Sequence, residues 1–187
     1  MYGIEEILKL VCKNFNDNNI DYVIVGGFTV IFYGNPRTTM DLDIVMQIPK
    51  NTDISAVVKF FKENGFFASE EDMKCAFAEK SNSTVEYKET MFRIDIKGVY
   101  DEMGKRTIKN KRGVDFHGTR IYLASPEDTI INKLIFAREH DIRDAIGIYV
   151  RQTGKLDEKY LQEFAKKQGV YDELLKIKEK IKNYNKI

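Results

Sequence analysis

Two aspartates separated by one residue, Asp41 and Asp43, open the apolar run Asp41-Leu42-Asp43-Ile44-Val45-Met46. In a β-strand alternate side chains share a face, so the two carboxylates project together while Leu42 and Ile44 point to the opposite, core side. Like charges this close repel by about 1 to 4 kcal/mol, depending on the local dielectric. A bound cation removes that repulsion, and carboxylate oxygens suit magnesium or manganese better than zinc. Neither His117 nor His140 stands at a spacing that would complete a zinc site. A third carboxylate, Asp95, lies in the alternating run Met91–Lys97, whose apolar face is Phe92, Ile94 and Ile96 and whose other face is Arg93, Asp95 and Lys97. Three aspartates from two adjacent strands could hold two cations about 3.5 to 4 Å apart, one activating a hydroxyl and one neutralising a triphosphate. Each acid also has a plainer reading. Asp41 and Asp43 could serve capping or solubility, and Asp95 could simply pair with Arg93 or Lys97 across a solvated face.

Upstream, Gly26-Gly27 sits where a strand passes into a helix, so a triphosphate could approach its backbone N–H groups with no Cβ in the way; a plain turn is the alternative. Arg37, Thr38 and Thr39 lie between this turn and the aspartates, where a guanidinium and hydroxyls could meet phosphate oxygens. Taken together, the Val25-Gly26-Gly27 turn, the short helix after it and Arg37-Thr38-Thr39-Met40-Asp41-Leu42-Asp43-Ile44 resemble the signature of the polymerase-beta-like nucleotidyltransferase superfamily. Gly27 stands where many members carry serine, which removes a hydroxyl used there on phosphate.

The stretch from Ser125-Pro126-Glu127-Asp128 through Lys133-Leu134 to Arg143-Asp144 is similar to the helical half of minimal members related to toxin components of abortive-infection and toxin–antitoxin systems. The resemblance spans roughly residues 20 to 150. It implies a magnesium- or manganese-dependent enzyme that moves a nucleoside monophosphate from an NTP to an acceptor hydroxyl on tRNA, a protein or a small molecule. It also implies Asp41, Asp43 and Asp95 as metal-binding and catalytic residues, phosphate contacts at Gly26, Gly27, Arg37 and Thr39, a phosphate contact from Lys133, a positioning role for Asp144, and a possible cognate antitoxin. From the residues alone, Lys133 could equally run its stem along the apolar stripe of Ile130, Leu134 and Ala137. Asp141 reads as an N-cap, and Asp144 could serve only the dipole of the following helix. A non-catalytic binding protein or regulator on the same fold is the rival reading.

The elements that must position these residues follow from periodicity. Ile4, Ile7, Leu8, Val11 and Phe15 mark a first helix ended at Asn16–Asn19, and Asp21–Val25 reads as a buried strand. A short helix over Phe28–Tyr33 stops at Gly34 before Asn35-Pro36, Met40–Gln47 forms the next strand, and Asp53–Asn64 an amphipathic helix closed by Gly65. Thr84–Lys88 and Met91–Lys97 suit a hairpin, as do Val114–His117 and Arg120–Ala124 about a Gly118-Thr119 turn. Lys105–Arg112 carries five basic residues in eight positions and reads as a solvated loop, or as a patch that steers RNA or a triphosphate. Four helices follow, over Pro126–Arg138, Ile142–Gln152, Asp157–Lys167 and Tyr171–Asn183. The pattern is therefore α/β (α+β) over residues 1–124, followed by a helical region over 125–187; the resemblance implies a mixed sheet flanked by helices for the first part, with the helical region packed on it.

With a net charge of +1 in 187 residues, bulk electrostatics supplies no general attraction for nucleic acid or membrane. Cys12 and Cys75 have no metal-like or CxxC spacing and sit in amphipathic helical surroundings, so a reduced, cytoplasmic setting is the default. No apolar run approaches the ~20 residues needed to cross a bilayer, and the early acids Glu5 and Glu6 are unlike a secretory signal.

Overall fold

The computed structural model describes residues 3–47 and 54–184. The elements run α1 (Ile4–Asp17), β1 (Asp21–Val25), α2 (Gly26–Tyr33), β2 (Asp41–Gln47), α3 (Ile54–Glu63), β3 (Phe66–Phe67), α4 (Glu70–Ala78), β4 (Asn82–Tyr87), β5 (Arg93–Gly98), α5 (Glu102–Lys109), β6 (Arg112–Phe116), β7 (Thr119–Leu123), α6 (Pro126–Phe136), α7 (Glu139–Arg151), α8 (Glu158–Gln168) and α9 (Tyr171–Tyr184). Asp53, the expected first residue of the third helix, lies outside the described residues.

The strands form one mixed sheet in the order β3-β4-β5-β2-β1-β7-β6. β2 lies near its centre, antiparallel to β1 and parallel to β5. The even-numbered face of β2 (Leu42, Ile44, Met46) is fully buried. Aromatic side chains beside the sheet pack edge-on in a continuous line from Tyr22 and Phe15 through Phe61 to Phe66, which lies tilted against Tyr87 with ring centres 5.1 Å apart. On the odd-numbered face, Ile108 of α5 packs against Val23 and Val45. Asp41 and Asp43 lie on that same face, nearer the start of β2. The expected α/β architecture with a mixed sheet is thus the one the chain adopts.

The chain divides into two compact units, one of residues up to Gly27 with Thr38–Ala124, the other of Phe28–Arg37 with the chain from Ser125 onward. In the second unit Val30, Ile130, Ile131, Leu134, Ala145, Ile148, Leu161 and Phe164 are buried. Ser125 caps α6 through its hydroxyl, which accepts from Asp128 N at 3.0 Å, with proline at the first helical position, as the sequence pattern indicates. The two acids behind it do more than face the helix dipole. Glu127 Oε1 accepts from the Asp157 backbone N–H at 2.9 Å, and Asp128 accepts from the Tyr160 hydroxyl, so both buried carboxylates fasten α8.

Three local expectations change. The run Lys105–Arg112 is not a solvated loop: α5 capped by Asp101 occupies most of it, with Thr107 and Ile108 buried. Its charges are also largely engaged, since Lys105 pairs with Glu102 at 2.7 Å and Lys111 with Asp21 while lying 4.3 Å from the Tyr122 ring centre. The second hairpin turns at His117-Gly118, one residue earlier than expected, because both residues take positive φ (48° and 80°), the pair of conformations a two-residue type I′ turn demands. Finally, α7 begins at Glu139, so His140 and Asp141 lie inside it rather than breaking the chain, and Asp141 is not its N-cap.

Asp141 is instead a buried ion-pair centre. It accepts from Lys133 Nζ at 2.7 Å and from Arg138 Nε at 2.6 Å. Burial pushes its carboxyl upward, but the hydrogen bonds from Arg138 and Lys133 outweigh this and hold it at about 2. Because the folded value lies below the ordinary 3.8, the pair stabilises the fold fully above about pH 4 and loses that contribution as pH falls toward 2. Asp141→Asn is expected to cost about 2 kcal/mol at pH 7. In urea titrations the difference between variant and parent should shrink at pH 3; an equal difference at both values would remove this ion pair from the account.

Candidate active site

The carboxylates are positioned by sheet register. In the parallel β2–β5 ladder Asp41 is opposite Arg93 and Asp43 opposite Asp95, and in the β4–β5 ladder Thr84 is opposite Asp95. Residues directly opposite share a face, so Asp41, Asp43, Arg93, Asp95 and Thr84 project from one side of three adjacent strands. The structure thereby brings together the three aspartates that the sequence could only place on two strands of unknown adjacency.

Each outer carboxylate is held at one oxygen. Thr39 Oγ1 donates to Asp41 Oδ1 at 2.7 Å, and Thr84 Oγ1 donates to Asp95 Oδ1 at 2.6 Å. The other oxygens face one guanidinium: Arg93 Nη2 is 3.5 Å from Asp41 Oδ2, and Arg93 Nε is 3.8 Å from Asp95 Oδ2. Asp43 lies between them. Burial, then the neighbouring charges of Asp41 and Asp95, push its carboxyl up to about 6, with Lys97 and the Gly27 backbone N–H opposing the shift. Among the described residues no three His, Cys, Asp or Glu side chains close into a cation cage by themselves.

Gly26 explains part of this packing. Its φ is +66°, and a Cβ built there would lie 1.9 Å from Asp43 Oδ2 and 2.7 Å from Cγ. The missing side chain at the β1–α2 turn is therefore the space into which Asp43 reaches, in addition to any approach it allows to a ligand. Gly27 is buried and directs its N–H toward Asp43.

The remaining candidates stand as follows. Arg37 is exposed in the segment between α2 and β2, and Thr39 spends its hydroxyl on Asp41. Lys133 and Asp144 lie in the second unit, both buried, with Lys133 Nζ 2.7 Å from Asp141 Oδ1 and 3.0 Å from Asp144 Oδ2. The ammonium is thus shared by two carboxylates rather than running along the core edge. Thr84 and the bridging position of Arg93 are the parts of the arrangement that sequence reasoning missed. Alternation along β4 puts Thr84 on the polar face, but nothing local says which strand that face adjoins.

A sheet of this order with paired strand aspartates behind a glycine turn defines the nucleotidyltransferase fold, and solved structures agree. An antigenic nucleotidyltransferase-like protein from Paracoccidioides brasiliensis superimposes with a TM-score of 0.57 at 15% identity, covering 92% of each chain. The antibiotic-resistance factor ANT(2'')-Ia does so at 0.56 and 10% identity, over 97% of this chain and 96% of its own. The lincosamide antibiotic adenylyltransferase LnuA matches at 0.51 and 16% identity, over 74% of this chain and 91% of its own. No curated protein shows significant sequence similarity to the chain. Over residues 2–186 the sequence matches the family described as nucleotidyltransferase of unknown function (DUF6036), and the protein belongs to that family.

Proposed function

We propose that the protein transfers a nucleoside monophosphate from an NTP to an acceptor hydroxyl, using magnesium or manganese held at Asp41, Asp43 and Asp95. The observation that carries this reading is the register of β2 and β5, which sets Asp43 directly opposite Asp95 with Asp41 on the same face. Carboxylate oxygens are the donor type that these ions take, and a magnesium site is ordinarily completed by substrate phosphates and water rather than by a full protein cage. When bound, the cations would polarise the triphosphate and activate the attacking hydroxyl.

The chain's own residues supply orientation and proton transfer. Thr39 and Thr84 fix the outer carboxylates through one oxygen each, so that the second oxygen of each, which faces the Arg93 guanidinium, is the one presented to the reacting groups. In the reaction the acceptor oxygen forms a bond to the α-phosphorus, the bond to the β-phosphate bridge breaks, and pyrophosphate leaves. The hydroxyl proton passes to the carboxylate of Asp95. The glycine turn at Gly26 and Gly27 and the side chain of Arg37 are assigned to the phosphates. The chemistry belongs to the core through residue 124. Lys133 is assigned to phosphate and Asp144 to its placement by the resemblance of residues 125–144 alone.

The acceptor is RNA, a protein or a small molecule; of the structural neighbours, ANT(2'')-Ia is known in complex with adenylyl-2''-tobramycin and LnuA with lincomycin. A cognate antitoxin is the macromolecular partner to seek. Incubating the purified protein with each α-labelled NTP, magnesium and total RNA, total protein or an aminoglycoside and lincosamide panel tests the reading. Label should move into one acceptor class, and no transfer in any combination would replace this reading with a non-catalytic binding role on the same fold. No helix among the described residues is long and apolar enough to cross a membrane.

A further inference from the structure

Among the described residues, Arg93 is the cation that forms ion pairs with two of the three aspartates. Its guanidinium lies 3.5 Å from Asp41 Oδ2 and 3.8 Å from Asp95 Oδ2, while Thr39 and Thr84 hold the other oxygen of each carboxylate. Its side chain is 52% exposed, so neither contact is locked by packing and the head can leave without opening the core. The neighbouring Lys97 points from the same face of β5 and opposes the upward shift of Asp43, but it does not bridge the outer pair.

We propose that Arg93 is the counter-ion of the aspartate cluster and the residue that a divalent cation must displace. The inference rests on the metal-dependent reading above and deepens it. A cation drawn to Asp41 Oδ2 and Asp95 Oδ2 competes with the guanidinium for the same lone pairs, since both cannot approach those oxygens closely. Displacement leaves an exposed guanidinium beside the site, parted from both carboxylates, and a triphosphate supplies the anion it then needs. Metal alone should bind weakly, metal with triphosphate more tightly, and Arg93 is the positioning residue that couples the two.

Manganese titration followed by electron paramagnetic resonance, which reads free ion without turnover, tests this on the full chain. Arg93→Gln should bind Mn2+ about fivefold more tightly than the parent, the size expected for two partly screened ion pairs. The tightening of Mn2+ by added non-hydrolysable triphosphate should shrink in the same variant. Arg93→Lys, which keeps the charge but not the fork, should fall between, and it serves if the glutamine variant folds poorly. Lys97→Gln removes a charge from the same face and should change Mn2+ affinity less. Unchanged or weaker Mn2+ binding in Arg93→Gln, or an equal gain in Lys97→Gln, overturns the inference while leaving nucleotidyl transfer standing. Binding indifferent to Asp41→Asn with Asp43→Asn overturns the metal-site reading itself.

Discussion

Replacing Asp43 by asparagine is expected to lower nucleotidyl transfer by on the order of 10³-fold or more while leaving the fold as stable as before or slightly more so. The two effects diverge for one reason. Asp43 is flanked by Asp41 and Asp95 and lies mostly out of water, so its charge is a burden on the folded state that Lys97 and the Gly27 N–H offset only in part. Asparagine keeps the shape, drops the charge and gives up a ligand. Label-transfer rates and thermal melts on the same preparation check both halves. A variant that melts well below the parent would show that the carboxylate is structural, and one that keeps its rate would remove it from the site.

Gly26→Ala should injure the protein in a different way. The new methyl group would meet Asp43 Oδ2 at 1.9 Å, in a backbone conformation with φ of +66° that alanine adopts only under strain. The conformation alone costs about 1 to 2 kcal/mol. The carboxylate must also swing away from its place opposite Asp95, and a displacement near 1 Å at a reacting centre is worth roughly 10²-fold in rate. Denaturant midpoint and label transfer should therefore fall together, unlike the Asp43 case. Gly118→Ala is the control for φ: that glycine has φ of +80° with nothing near its Cβ, so it should lose stability and keep its rate. Equal rates for the two alanine variants would sink the steric argument.

The chain states some of this plainly and conceals the rest for physical reasons. Period-two alternation around Asp41 and Asp95 identifies both strands and the shared side of their acids, and Ser125-Pro126 marks the start of α6 to the residue. Alternation carries no information about which strands adjoin, so the pairing of Asp43 with Asp95 waits on the sheet order. Asp141 misleads because an acid after a helical run looks like a cap; its partner Lys133 lies eight residues back, across a helix end made by Ala137 in a left-handed conformation that alanine seldom takes. The stretch after Gly65 hides β3 and α4 because two residues of strand have no period to read, and only the amphipathic surroundings of Cys75 hint at the helix. The basic run at Lys105 looks solvated because Ile108 is its single large apolar side chain, yet that one residue seals Val23 and Val45.

β2 is hydrogen-bonded on both sides and flanked by three strands in either direction. The amides of Leu42 to Met46 should then exchange with deuterium only through global unfolding, while β3 and β6 at the margins open first. A protein whose edges have frayed in mild urea would still hold Asp41 and Asp43 against Asp95. Catalysis should persist through the early part of the denaturation curve and vanish only with the last cooperative step.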